Sequence, residues 1–258
     1  MTRLTEEQVR TAADLLVALR EGRLELAGLP AELTPDDTTD VQRIILAVSE
    51  RIDRPIGGWK TYTVYKPMNP PFYAPIYDVF PSGAEIPARI SPSRLVEPEI
   101  MFRLDRDLPA RDRNYGFDEV RDAVTGVVGF EVIGSRFTAN GGGQGSLLGS
   151  LSDHIANGAI VVGDAIPHWR EVAFEDVRLR MTEDERELVA IVGCHPFDDP
   201  FLPVVVGVNR LRRFRGAKAG DVIVTNSSTS FFAVAAGAQI RAVYDELGEV
   251  VATFARCD

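Results

Sequence analysis

Apolar residues recur at helical spacing in two early stretches, and most later stretches alternate apolar with polar, the period of a strand. The first helix is predicted from Thr5 to about Glu21. Thr5 is the N-cap, Gln8 completes a capping box, Leu4 and Val9 form a hydrophobic staple, and Gly22 ends the run. A second helix is expected to start at Thr34-Pro35-Asp36-Asp37, with proline at the first helical position and acids in the first turn. Its stripe of Val41, Ile44, Ile45, Val48 and Ile52 reads as core. Residues 1–55 thus form a helical cap and residues 56–258 the main domain.

Arg54-Pro55-Ile56-Gly57-Gly58 breaks the helical pattern, and a strand is predicted from Trp59 to about Tyr65. Lys66 to Pro92 holds seven prolines, which implies an ordered, irregular loop with short extended pieces. Phe117 to Thr125 reads as a short helix and Ala159 to Val162 as a strand. Val177–Met181 and Leu188–Val192 flank Thr182-Glu183-Asp184-Glu185-Arg186, a solvated hairpin tip. A helix follows from Phe201 to Phe214, then a strand from Asp221 to Thr225. Ala238 to Phe254 is a hairpin turning at Asp245-Glu246-Leu247-Gly248. The glycine-rich Ala139–Gly149 lacks the Gly-Lys-Ser/Thr ending of a phosphate-binding loop and reads as a mobile lid.

Chemistry enters between Arg94 and Phe137. Val96, Pro98, Ile100, Phe102 and Leu104 alternate with Glu97, Glu99, Met101 and Arg103, so Glu97 and Glu99 share one face. In the later segment Val128, Phe130 and Val132 take one face and Glu131 the other. If the two strands pair, three carboxylates converge. Buried together they repel, and a cation among them is the alternative to protonation. Hard oxygen donors with open positions suit magnesium or manganese better than zinc. An exposed edge strand carrying solvated glutamates is the competing reading, although Glu131 lies in an apolar run where a charge is rarely left unpaired.

Composition narrows the partners. A formal charge of −10 argues against nucleic acid and anionic membrane surfaces. No apolar run approaches the ~20 residues of a membrane span, and the N-terminus lacks the apolar core of a signal peptide. Cys194 and Cys257 form no zinc pattern. A soluble, cytoplasmic protein in a reducing compartment is expected.

In order along the chain, Gly58-Trp59-Lys60, Val96-Glu97-Pro98-Glu99-Ile100, Phe130-Glu131-Val132-Ile133-Gly134-Ser135-Arg136, Ser152-Asp153-His154-Ile155-Ala156-Asn157-Gly158 and Thr225-Asn226-Ser227-Ser228-Thr229 resemble motifs of the fumarylacetoacetate hydrolase superfamily. Within it they are similar to the branch of 2-oxo-pent-4-enoate hydratases and 4-oxalocrotonate decarboxylases. The resemblance implies a mixed α/β fold, a β-roll or sandwich core with a helical N-terminal part, residues 56–258 being the catalytic domain. It implies a homo-oligomer and a magnesium or manganese ion on Glu97, Glu99 and Glu131 that chelates a small 2-oxo acid. It makes Lys60, for proton transfer or for holding the substrate carboxylate, and Asp153 candidate catalytic groups; His154, where the family has asparagine, joins them because a histidine pKa lies in the useful range. Ser135, Arg136, Ser227 and Thr229 become candidates for binding substrate, although the hydroxyls of Ser227 and Thr229 could equally serve their own turn.

The chain also departs from the pattern. The family's Pro-Asp-(Phe/Tyr)-Gly is here Tyr73-Ala74-Pro75-Ile76, so Ala74 replaces an acid for which Asp78 is the nearby substitute. His154 is either a new acid–base group or a partly exposed loop residue. His168 and His195, each beside proline, read as structural. The expected activity is hydration of a 2-hydroxydienoic acid. Decarboxylation of a 4-oxalocrotonate-type acid, acylpyruvate hydrolysis and non-catalytic 2-oxo-acid binding are the alternatives. No histidine precedes His154 to supply the His-Glu pair that hydrolysis usually needs.

Overall fold

The structure, a computed structural model, describes residues 3–62, 72–138, 146–196, 199–227 and 229–256. Its first elements are helices α1 (Glu6–Arg20) and α2 (Thr38–Ser49) and strands β1 (Gly58–Tyr62), β2 (Phe72–Ile76), β3 (Val79–Pro81), β4 (Ala84–Ile86) and β5 (Leu95–Leu104). Then come helix α3 (Phe117–Arg121), strand β6 (Val124–Ile133), helix α4 (Leu147–Leu151) and strands β7 (Asn157–Ala165), β8 (Arg178–Glu183) and β9 (Arg186–Val192). Helix α5 (Leu202–Leu211) precedes β10 (Val222–Val224), β11 (Phe232–Ala233), β12 (Gln239–Tyr244) and β13 (Gly248–Phe254). No helix among the described residues is long and apolar enough to cross a membrane.

The chain divides into two compact units. The first holds Met1–Pro55, Lys60–Pro75 and Ser135–Asn157. Its α1 starts as the residues dictate: Thr5 accepts from Gln8 N, Gln8 reaches back to the Thr5 amide, and Leu4 and Val9 are buried together. Helix α2 begins at Thr38 rather than beside Pro35. Asp37 is extended at φ −143° and its carboxylate accepts from Asp40 N at 2.9 Å, so the cap forms there and Pro35 stays outside. The α2 stripe divides its duties. Ile44 and Val48 pack with Ala12, Ala13, Leu16 and Phe137, whereas Val41 and Ile45 pack with Ala74, Leu151 and Ile155. That second cluster is why later segments join the first fifty-five residues in one unit.

The second unit holds Ile56–Trp59, Ile76–Gly134 and Gly158–Asp258. Its larger sheet runs β10-β5-β6-β7-β3, with β11 also on β5, and its smaller sheet runs β4-β13-β12-β8-β9. Pairing of β5 with β6 is antiparallel over ten residues each, both strands being almost wholly buried. The two sheets are layered closely: a Cβ on Gly163 would lie 2.7 Å from Val250 Cβ and 3.1 Å from Val128 Cγ2. Helix α3 stops at Arg121, short of the expected Thr125, because Val124 and Thr125 pair with Leu104 and Arg103. The hairpin tip between β8 and β9 is not wholly solvated. Glu183 is buried, accepting from Ala235 N and from Arg186.

In the proline-rich stretch the described part carries β2, β3 and β4, and the rest lies outside the described residues. So does 139–145 of the glycine-rich stretch expected to be a lid, while its far end forms α4.

Candidate metal centre and its surroundings

Register builds the centre. Glu97 sits directly opposite Glu131 and Glu99 opposite Gly129, so the three carboxylates share one face of the β5–β6 pair. One oxygen from each lies within 4.8 Å of the others. Glu131 and Glu99 are 0% and 1% exposed and Glu97 is half-buried, which removes the solvated-edge reading. Glu99 Oε2 also accepts from the Asn226 amide at 3.2 Å. Three hard oxygen donors on rigid paired strands, two of them out of water, match the donor set of a magnesium or manganese ion.

The turn after β10 is tied down on either side of Glu99. Thr225 Oγ1 donates to Ile100 O, and Ser227 Oγ donates to Pro98 O at 2.8 Å. Ser227 Oγ lies 2.9 Å from Thr229 Oγ1 and accepts from Thr229 N at 3.1 Å. Both hydroxyls are bonded within the turn, and that of Ser227 also to its neighbouring strand.

The remaining candidates belong to the first unit. Lys60 is half-buried on β1. Asp153 is 2% exposed and holds Arg136 through several bonds. Nη2 is 2.6 Å from Oδ1, Nε donates to Oδ1 at 2.7 Å and the Arg136 amide to Oδ2 at 2.8 Å. Arg136 also donates to the carbonyls of Asp153 and Asn157. The two charges read separately, as a catalytic acid and a substrate-binding cation, form one buried ion pair. Ser135 Oγ accepts from Phe137 N at 3.3 Å.

His154 corrects an expectation. It is 1% exposed rather than a partly exposed loop residue, with Nδ1 2.9 Å from Arg20 Nη2. Burial first, then the charges of Arg20 and Arg136, push its pKa well below the ordinary histidine value, out of the range that suits proton transfer near neutrality. His154, Ile155 and Ala156 stand in succession at φ 50°, 57° and 54°, a left-handed turn that side chains with a Cβ resist. Because His154 is neutral when folded but charges when unfolded, its contribution to stability is present above about pH 6.5 and is lost as pH falls towards its depressed folded pKa. Urea unfolding of the wild type is therefore expected to weaken between about pH 6.5 and pH 5, with a flatter profile in His154→Gln.

Ala74 lies fully buried among Val41, Ile45, Leu151 and Ile155, so apolar packing stands where the resemblance leads to the expectation of an acid. Asp78, the proposed substitute, is half-buried in the second unit. Burial pushes the Cys194 thiol up to about 12, which makes it inert, and Cys257 lies outside the described residues. His195, read as structural, is buried with Nε2 3.1 Å from Thr225 Oγ1, a pairing the sequence does not announce. A histidine beside proline carries no signal of such a partner.

The fold expected from the resemblance, that of the fumarylacetoacetate hydrolase superfamily, is the fold found. The chain is similar to 4-oxalocrotonate decarboxylase from Pseudomonas putida G7, solved with magnesium and adipate, at a TM-score of 0.80 and 21% identity, over 98% of this chain and 100% of that one. It is also similar to 5-carboxymethyl-2-hydroxymuconate delta-isomerase from Mycobacterium smegmatis (TM-score 0.54, 14% identity, 79% of this chain and 81% of that one). A third likeness is to 2-hydroxyhepta-2,4-diene-1,7-dioate isomerase from Mycobacterium marinum (TM-score 0.52, 15% identity, 78% and 76%). No family model matches the chain.

Proposed function

We propose that this chain is a divalent-metal-dependent lyase of the fumarylacetoacetate hydrolase superfamily acting on a small 2-oxo acid. The observation that carries the reading is the set of three carboxylates gathered on one face of β5 and β6, two of them buried. Glu97, Glu99 and Glu131 would hold magnesium or manganese. Bound there, the cation supplies Lewis acidity to the carboxylate and 2-oxo oxygen of the substrate. Lys60 is the candidate for proton transfer to the carbon chain or for holding the substrate carboxylate. Asp153 and Arg136 position the backbone of their own segment. The depressed pKa of His154 supports a neutral, structural role for it.

Hydration of a 2-hydroxydienoate is the first reading. Decarboxylation is the second, and what favours it is the fold shared over the whole chain with a decarboxylase whose structure holds a dicarboxylate.

The test supplies purified protein with Mg2+ or Mn2+ and either 2-hydroxypenta-2,4-dienoate or 4-oxalocrotonate, following loss of the conjugated chromophore and release of CO2. Metal-dependent turnover of either substrate supports the lyase. Pyruvate release from acylpyruvates alone would make the protein a hydrolase, and oxalate binding with no turnover a binder. Lys60→Met is expected to lower turnover by about 10²- to 10⁴-fold with Mn2+ affinity unchanged. Unchanged turnover would remove Lys60 from the reaction.

A further inference from the structure

We propose that His195 and Thr225 are positioning residues for Glu99, acting through the backbone amide of Asn226; this rests on the metal-centre reading above. Strand β10 lies antiparallel to β5 with Val224 opposite Met101, which carries the next residue, Thr225, to Ile100. Thr225 is fully buried and its hydroxyl donates to Ile100 O at 2.5 Å. A hydroxyl has one hydrogen, so Thr225 Oγ1 can only accept from His195 Nε2, 3.1 Å away. Nε2 is therefore the protonated nitrogen, and Thr225 O lies 3.3 Å from the same atom. His195 is itself 8% exposed, so the contact is shielded from water.

The next residue converts this anchor into orientation. Asn226 stands at φ 97°, and there its amide donates to Glu99 Oε2 at 3.2 Å. Its side-chain amide donates to Thr225 O. Ser227 then ties the turn to Pro98 O. The turn is thus fastened to β5 at the residues before and after Glu99, and the free amide between the two fastenings meets the carboxylate. A donor on one oxygen fixes the carboxylate plane, as the partners of metal-binding side chains do. Without the Thr225 hydroxyl, the Ile100 fastening and the His195 contact to Oγ1 are lost together, leaving only the longer approach to Thr225 O.

The test is Mn2+ titration of the whole chain followed by electron paramagnetic resonance, with melting measured in parallel. Thr225→Val is expected to weaken Mn2+ binding by about 10- to 100-fold, while Thr225→Ser, which keeps the hydroxyl, stays within about threefold of wild type. If Thr225→Val fails to fold, His195→Leu replaces it, with weakened binding at an unchanged melting temperature as the expected result. Wild-type affinity in folded Thr225→Val or His195→Leu overturns the proposal and leaves the metal centre standing. A wild-type protein that binds no Mn2+ overturns the centre itself.

Discussion

Glu99→Gln is expected to fold as the wild type does, to bind Mn2+ at least ~100-fold more weakly and to fall to roughly 1% or less of metal-dependent turnover. The substitution preserves shape, and the strand around it is held by ten paired positions on β6. It removes one of three negative charges that converge within 4.8 Å. A neutral amide oxygen is a weaker ligand for a hard cation, and turning that oxygen to the cation sets its NH2 group against the Asn226 amide, donor against donor. Electron paramagnetic resonance of Mn2+ and initial rates with added metal check both halves. Full metal-dependent activity in the variant would reject the lyase as proposed.

The second large effect concerns stability. Asp153→Ala is expected to destabilise the protein by about 3–5 kcal/mol, because it removes one partner of a buried ion pair. Arg136, at 13% side-chain exposure, would lose the Asp153 carboxylate and the bonds it accepts. The same carboxylate also accepts the Arg136 amide, next to three residues held at positive φ. Those conformations persist only where their surroundings over-determine them. Adding Arg136→Met to Asp153→Ala is expected to recover much of the loss, since an apolar pair can replace a buried ion pair at little cost. Urea denaturation of both variants decides it. A loss below about 1 kcal/mol would show that the pair does not support the turn.

How much of this could be read from the sequence follows from how local each signal is. Thr5, Gln8, Leu4 and Val9 announce the start of α1 because capping is settled within five residues. Alternation placed Glu97 and Glu99 on one face for the same reason. That Glu131 stands directly across from Glu97 is a matter of register between strands, and alternation leaves it open. Asp153 and Arg136 were each legible as functional-looking charges, but their union spans seventeen residues and depends on how a left-handed turn folds back. The start of α2 was misplaced because Pro35 and Asp37 are both good opening residues, and the carboxylate that actually caps was one choice among several. Thr225 and His195 are thirty residues apart, with no pattern joining them.

The parallel pairing of β4 with β13 joins residues 84–86 to residues 252–254. A ribosome must therefore release nearly all of the described chain before the smaller sheet can close. Until then its early edge waits without a neighbour, so assembly of this unit is slow, non-local and exposed to wrong pairings. Substitutions that weaken β13 are accordingly expected to reduce soluble yield more than they alter the properties of molecules that do mature.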